Sequence, residues 1–127
     1  MNDVIEFCLK YGLQSSHFFG LQIWDGHMDL DCETIPNGFS PKVNGDLDLC
    51  GLICLPENFV PNICGDLTLG PIDKFPLTTD LSNVSGDLYV EDREIVTRRI
   101  EEQVSDVWVR NGIYNNNFVK GYTKWKQ

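Results

Sequence analysis

Gly45-Asp46-Leu47-Asp48-Leu49 is one of four versions of the same short motif in this chain of 127 residues. The other three are Gly26-His27-Met28-Asp29-Leu30, Gly65-Asp66-Leu67-Thr68-Leu69 and Gly86-Asp87-Leu88-Tyr89-Val90. Their first glycines lie 19, 20 and 21 residues apart, a period typical of proteins built from stacked repeats. One such unit cannot bury its apolar edge alone, so we expect the copies to stack and share a core.

Each motif alternates polar and apolar residues, which is the pattern of a strand with one buried face. The apolar positions predicted to point inward are Met28, Leu30, Leu47, Leu49, Leu67, Leu69, Leu88 and Val90. Six prolines separate the motifs and disfavour helices between the strands. The pattern predicts an α+β protein in which residues 26–92 form a short parallel β-solenoid of four coils.

Both ends of the repeat region carry a helical pattern, and we expect a helix to cap each end of the stack. Residues 3–11 follow the good N-cap residue Asn2 and place Val4, Ile5, Cys8 and Leu9 on one apolar stripe. Residues 93–110 repeat apolar side chains with a period of 3.6 and end at Asn111-Gly112. Residues 111–127 form an aromatic and basic tail, which is expected to pack on its own body or on a second copy of the chain. The whole chain is predicted to be a single domain.

Composition excludes several classes of function. No apolar run is long enough to span a bilayer, and the first residues lack the features of a signal peptide, so we expect a cytoplasmic protein. Residues 25–92 hold thirteen acids against two lysines, which argues against direct binding of nucleic acid. The cysteines lack the paired spacing of a zinc site and are expected to fill space between coils, and we predict no metal or other cofactor.

In-register stacking would set the outward residues in three rows. The first row is His27, Asp46, Asp66 and Asp87. The second row is Asp29, Asp48, Thr68 and Tyr89, and the third row is Asp31, Cys50, Gly70 and Glu91. Neighbouring strands are about 4.8 Å apart, and unit charges at such a distance repel by roughly 1 kcal/mol in water. This face is either a solvated surface, with the first-row acids bonded to the backbone at turns, or a binding site.

The residues Leu55-Pro56-Glu57-Asn58-Phe59-Val60-Pro61-Asn62-Ile63-Cys64-Gly65-Asp66-Leu67-Thr68-Leu69 resemble the short leucine-rich-like repeats of bacterial and tailed-phage proteins. The resemblance covers residues 26 to 92, about half of the chain. The stretch from strand to proline is shorter than in the family, and the usual Asn after the strand is missing. The resemblance implies a scaffold for protein contacts and a phage origin, and it carries no catalytic residue.

Three classes of function remain open. The first is a non-enzymatic inhibitor or modulator that binds a basic surface of a host protein, in the host cytoplasm if the chain is phage-encoded. Its partner-binding residues would be Asp29, Asp31, Asp46, Asp48, Asp66, Asp87, Tyr89 and Glu91. The second is a nucleic-acid mimic of the anti-CRISPR or anti-restriction type, whose carboxylates would occupy the DNA or RNA site of a defence enzyme. The third, a small hydrolase-like enzyme, would use His27 beside Asp25 and Asp29, although no catalytic motif accompanies them.

Overall fold

The computed structural model describes residues 2–110 and 122–124, and they form a mixed α/β protein with short helices and mostly parallel strands. The helices are α1 (Asn2–Tyr11), α2 (Ser15–Phe18) and α3 (Arg98–Gln103), with a single 3₁₀ turn at Arg93–Ile95. The strands are β1 (Ile23–Asp25), β2 (Met28–Asp29), β3 (Lys42–Asn44), β4 (Leu47–Leu49), β5 (Asn62–Ile63), β6 (Leu67–Leu69), β7 (Leu88–Val90), β8 (Val107–Arg110) and β9 (Tyr122–Lys124).

The strands make two sheets, and each of the first three repeats adds one strand to each sheet. The first sheet has the order β1-β3-β5, and Ile63 of β5 also bridges Val84 in the next repeat. The second sheet has the order β2-β4-β6-β7-β8-β9. All of these pairs are parallel except β8 with β9. Short parallel strands joined without crossover helices follow from the proline-rich connections between the motifs.

The core lies between the two sheets and is built from equivalent residues of successive repeats. Leu47 is in register with Met28 and Leu67, and Leu67 with Leu88, as the alternation of the motif predicts. The rings of Phe18, Phe39 and Phe59 form a second column, with centroids 5.1 and 6.1 Å apart. All three phenylalanines are fully buried, and the next repeat contributes the fully buried Leu81 to the core.

The N-terminal helix is confirmed, but part of its predicted apolar stripe is wrong. Phe7 and Cys8 are buried, and Val4 and Tyr11 pack against the core, which gives the spacing i, i+3, i+4, i+7. The predicted stripe members Ile5 and Leu9 are 57% and 77% exposed. Phe7 decides the orientation, because its ring packs against those of Phe18 and Phe39 at the end of the aromatic column.

The continuous helix predicted at 93–110 is wrong. Only Arg98–Gln103 is α-helical, with Thr97 as the N-cap, and Val107–Arg110 is strand β8. Val107 and Val109 lie in register with Leu88 and Val90, so Ser105-Asp106-Val107-Trp108-Val109 is a degenerate further copy of the motif. Alternation overrides the apparent 3.6-residue period because the two valines fill inward positions of the sheet. Parallel pairing therefore extends beyond residues 26–92, from β1 to β8.

The predicted tail can be followed only in part. Residues 111–121 and 125–127 lie outside the described residues, and Tyr122–Lys124 is the antiparallel strand β9 beside β8. The expectation that the tail contacts a second copy stays a prediction. Among the described residues, no helix is both long and apolar enough to cross a lipid bilayer.

Candidate functional site

The first row of the outer face is a continuous series of hydrogen bonds between repeats. His27 Nδ1 accepts from the backbone N–H of Asp46 at 2.9 Å. Asp46 Oδ1 then accepts from the N–H of Asp66 at 2.7 Å, and Asp66 Oδ1 from the N–H of Asp87 at 2.8 Å. Asp87 Oδ2 accepts from the indole Nε1 of Trp108 at 3.0 Å. Each side chain in this row thus fastens its own repeat to the next one.

The glycine before each aspartate makes room for this bond. A Cβ at position 65 would collide with Oδ1 of Asp46, and a Cβ at position 86 would collide with Oδ1 of Asp66. The backbone of the preceding repeat is also close, since Gly65 O would lie 2.5 Å from a Cβ at position 86. The Gly-Asp pair is therefore explained by packing between repeats: the aspartate reaches forward, and the next glycine admits its carboxylate.

The hydrolase alternative depends on His27, whose ring is already hydrogen-bonded within the sheet. Its Nδ1 accepts from the Asp46 N–H, and Asp46 Oδ2 lies 3.6 Å from the same nitrogen. Asp25 Oδ1 instead accepts from Asn44 Nδ2 at 3.3 Å. Within residues 2–110 and 122–124, no group of three or more histidine, cysteine and acidic side chains is arranged to hold a metal ion.

The second row divides into an acidic half and an aromatic half. Asp29 pairs with Asp48, Asp48 with Thr68, Thr68 with Tyr89, and Tyr89 with Trp108. The Tyr89 and Trp108 rings are stacked, with centroids 5.6 Å apart and planes 10° apart. Tyr89 is only 9% exposed beside Trp108. Tyr89, a predicted partner-binding residue, thus packs within the chain, and little of its ring surface is accessible to a partner.

The third row is irregular. Glu91 Oε2 lies 3.5 Å from Arg110 Nη1, so this predicted site residue is paired within the chain. Gly70 admits no side chain, because a Cβ there would collide with the backbone oxygens of Leu52 and Cys50. Asp31 is exposed, and none of the described ion pairs involves its carboxylate.

Three aspartates come together around Cys50 where the second and third rows meet. The pKa of the Cys50 thiol is raised by loss of solvation, and further by the negative charges of Asp48, Asp29 and Asp31. Asp48 also accepts from the Cys50 N–H at 3.0 Å, whereas Asp29 and Asp31 are exposed. The structure therefore brings together three of the eight predicted site residues at the β2 end of the second sheet.

An acidic groove beside this cluster was not expected from the sequence. It has a volume of about 880 Å³ and lies between α1 and residues 31–37. Its charged lining residues are Asp3, Glu6, Lys10, Asp31 and Glu33. The only sequence signal was the polar flank of α1, where Asp3, Glu6 and Lys10 are spaced by three and four residues. Asp31 belongs to both the groove and the third row, so the two acidic surfaces adjoin.

The cysteines only partly fill the predicted role. All five are free thiols, and only Cys8 and Cys32 are buried. Burial raises the pKa of both thiols, and at Cys32 the charge of Asp31 adds to the increase while Lys10 opposes it. The expectation that the cysteines fill space between repeats is wrong for Cys50, Cys54 and Cys64, which are exposed.

Known proteins offer no guide to the function of this chain, so a functional assignment depends on the geometry described above. No family model, curated protein or solved structure matches the chain.

Proposed function

We propose that this protein is a non-enzymatic binding module that inhibits or modulates a host protein, and that its acidic outer face contacts a basic surface of that partner. The repeats would form a leucine-rich-like solenoid of four regular coils, with Ser105–Val109 as a degenerate addition. The resemblance to phage and bacterial repeats supports a phage-type protein that acts in the cytoplasm of the host cell. No cofactor is needed for this function.

The observation that carries the proposal is the cluster of Asp29, Asp31 and Asp48. The two exposed carboxylates and the half-buried Asp48 form none of the described ion pairs. Like charges gathered in this way repel one another, and a basic partner would relieve that repulsion. The chain carries a net charge of −9, so long-range attraction would also speed the association with a basic surface.

The first-row acids have a different place in this proposal. Asp46, Asp66 and Asp87 are half-buried and accept hydrogen bonds within the sheet, so their first task is to hold the repeats together. They still add to the negative potential of the face. We therefore expect them to contribute to the rate of association, and the cluster at Asp29, Asp31 and Asp48 to contribute the direct contacts.

Affinity capture from bacterial lysate tests the proposal, with wild type beside two triple variants that lose equal charge. The test variant is Asp29→Asn, Asp31→Asn and Asp48→Asn, in which the new amide at position 48 keeps an oxygen for the Cys50 N–H. The control is Asp73→Asn, Glu94→Gln and Glu102→Gln, three exposed acids outside the three rows. We expect the wild type and the control to retain the same protein at low salt, and the test variant to lose it. Equal retention by all three would contradict the proposal.

The nucleic-acid mimic is the alternative, and the regular spacing of the fixed first-row carboxylates favours it. Added DNA or RNA distinguishes the two functions in the same experiment. If nucleic acid displaces the captured protein, the face acts as a mimic of phosphates. If nucleic acid has no effect while high salt releases the protein, the face is a plain contact surface for a basic partner.

A further inference from the structure

Helix α1 presents two different sides to solvent. Ile5 and Leu9 on one side are 57% and 77% exposed. The other side carries Asp3 and Glu6, which line the acidic groove between α1 and residues 31–37. The two sides adjoin, because Glu6 and Leu9 are three residues apart on the helix. An exposed apolar surface therefore lies directly beside an acidic wall of the groove.

The groove is apolar where its lining is buried and acidic where its lining is exposed. Its buried apolar lining residues are Phe7, Cys32 and Ile35. Its exposed acids are Asp3 and Glu6 on α1 and Asp31 and Glu33 on the facing segment. An arginine or lysine side chain has the same division, with an aliphatic stem and a charged head. The groove therefore fits such a side chain, with its stem toward the buried residues and its head between the carboxylates.

The charge of the groove is not balanced from within the described part of the chain. Lys10 is the one basic residue among the described lining residues, and its Nζ lies 5.5 Å from the centroid of the Tyr11 ring. None of the described ion pairs involves the four lining acids. Four carboxylates thus share the groove with one ammonium group, and a cation from a partner would relieve their repulsion.

We propose that the acidic groove receives an extended basic segment of the partner protein, with arginine or lysine side chains between the two walls and an apolar residue against Ile5 and Leu9. This inference rests on the proposed function, since the same basic partner would supply the segment. Asp31 lines the groove and also belongs to the cluster around Cys50, so one segment can continue from the acidic face into the groove. The volume of about 880 Å³ lies within the range of ligand sites, roughly 300 to 1,000 Å³, and suits a few side chains.

A short peptide of arginine and leucine, blocked at both ends, is the probe, and the same peptide with neutral citrulline in place of arginine is its control. Titration of either peptide into the isotopically labelled chain at about 0.15 M NaCl is followed by NMR. We expect the arginine peptide to shift the amides of residues 3–10 and 31–37, and to bind at least about tenfold more tightly than the citrulline peptide. Equal binding of both peptides, or shifts that leave these residues unchanged, would overturn the proposal.

Two pairs of variants locate the contacts. Glu6→Gln with Glu33→Gln should weaken binding of the arginine peptide by about tenfold. Asp73→Asn with Glu94→Gln removes the same charge from exposed positions outside the groove and should change binding less than about twofold. Leu9→Ser should also weaken binding, whereas Leu77→Ser, which removes a leucine that is 91% exposed in another repeat, should not. Equal effects within either pair would contradict the proposed contacts, and far-UV circular dichroism confirms that all four variants fold.

Capture from lysate separates this inference from the proposed function on which it rests. If the triple variant of Asp29, Asp31 and Asp48 loses the partner while Glu6→Gln with Glu33→Gln retains it fully, the proposed function stands and the groove proposal is wrong. If the arginine peptide binds the groove but the triple variant retains the partner like wild type, the proposed function of the outer face is wrong, and the groove remains a site for basic segments.

Discussion

The first-row acids and the cluster around Cys50 share one face, but they differ in what their carboxylates contact. Asp46 and Asp66 each accept a backbone N–H from the next repeat. Asp29 and Asp31 are exposed, and no described side-chain hydrogen bond uses their carboxylates. The acid that recurs in the motif is therefore a structural residue, and the acids that do not recur are the ones available to a partner. The aspartate after each glycine recurs because the stacked repeats require its hydrogen bond.

This comparison depends on which face of each strand is buried, and the substitution with the largest expected effect tests that point. Leu67 is fully buried and in register with Leu47 and Leu88. Leu67→Asp would bury an unpaired carboxylate, so we expect a loss of about 4 kcal/mol or more and no cooperative unfolding transition. Thr68→Asp, on the opposite face of β6, should cost less than about 1 kcal/mol from repulsion by Asp48. A cooperative unfolding transition for Leu67→Asp together with the greater loss for Thr68→Asp would mean that the faces are reversed.

The glycine that admits the first-row carboxylate should be the next most sensitive position. A Cβ at Gly86 meets Asp66 Oδ1 and the backbone of Gly65, which cannot move without breaking the parallel pairing. We expect Gly86→Ala to cost about 1 to 3 kcal/mol in urea unfolding. Gly51→Ala is the control, because its Cβ would lie no closer than 3.4 Å to any atom. Equal losses for both variants would mean that general glycine effects, and not the Asp66 contact, set the cost.

The difference between the two groups of acids can be measured directly. Asp66→Ala leaves the N–H of Asp87 without its acceptor, and we expect a loss of about 1 to 3 kcal/mol. Asp66→Asn keeps an acceptor oxygen and should recover most of this loss. Asp29→Ala removes an exposed side chain and should change stability by less than about 0.5 kcal/mol. If Asp29→Ala costs as much as Asp66→Ala in parallel urea titrations, the two groups do not differ in role.

The parts of this fold that follow from the sequence are those with a local period. Leu47 and Leu67 share an inward position because the alternation of the motif can be read from one repeat and aligned with the next. The strand at Val107–Arg110 was missed because Ser105 replaces the glycine, and because the apolar residues at 95–108 also fit a helix. Pairing with β7 decides between the two structures, and no local pattern contains that contact.

The candidate site was harder to predict than the fold. The same Gly-Asp pair is compatible with a free carboxylate or with one that accepts a hydrogen bond from the next repeat. Only the distance between neighbouring repeats decides between these two arrangements. The acidic groove depends on how α1 lies against residues 31–37. The orientation of α1 is set by Phe7, whose ring packs at the end of the aromatic column. Ile5 and Leu9 are equally apolar but remain exposed, and only this long-range contact decides which side of α1 is buried.

Trp108 joins the two rows at their far end, and a conservative substitution there should have the smallest effect. Its indole N–H donates to Asp87 of the first row, and its ring stacks on Tyr89 of the second row. Trp108→Phe keeps an aromatic ring for the stack and removes only the donor, so we expect a loss of about 1 kcal/mol. In an Asp87→Ala background the acceptor is already gone, and the same substitution should then cost almost nothing. This double-mutant cycle in urea measures the indole–carboxylate bond alone. An equal cost in both backgrounds would mean that Trp108 stabilises the sheet only through its ring, and that the series of hydrogen bonds in the first row ends at Asp87.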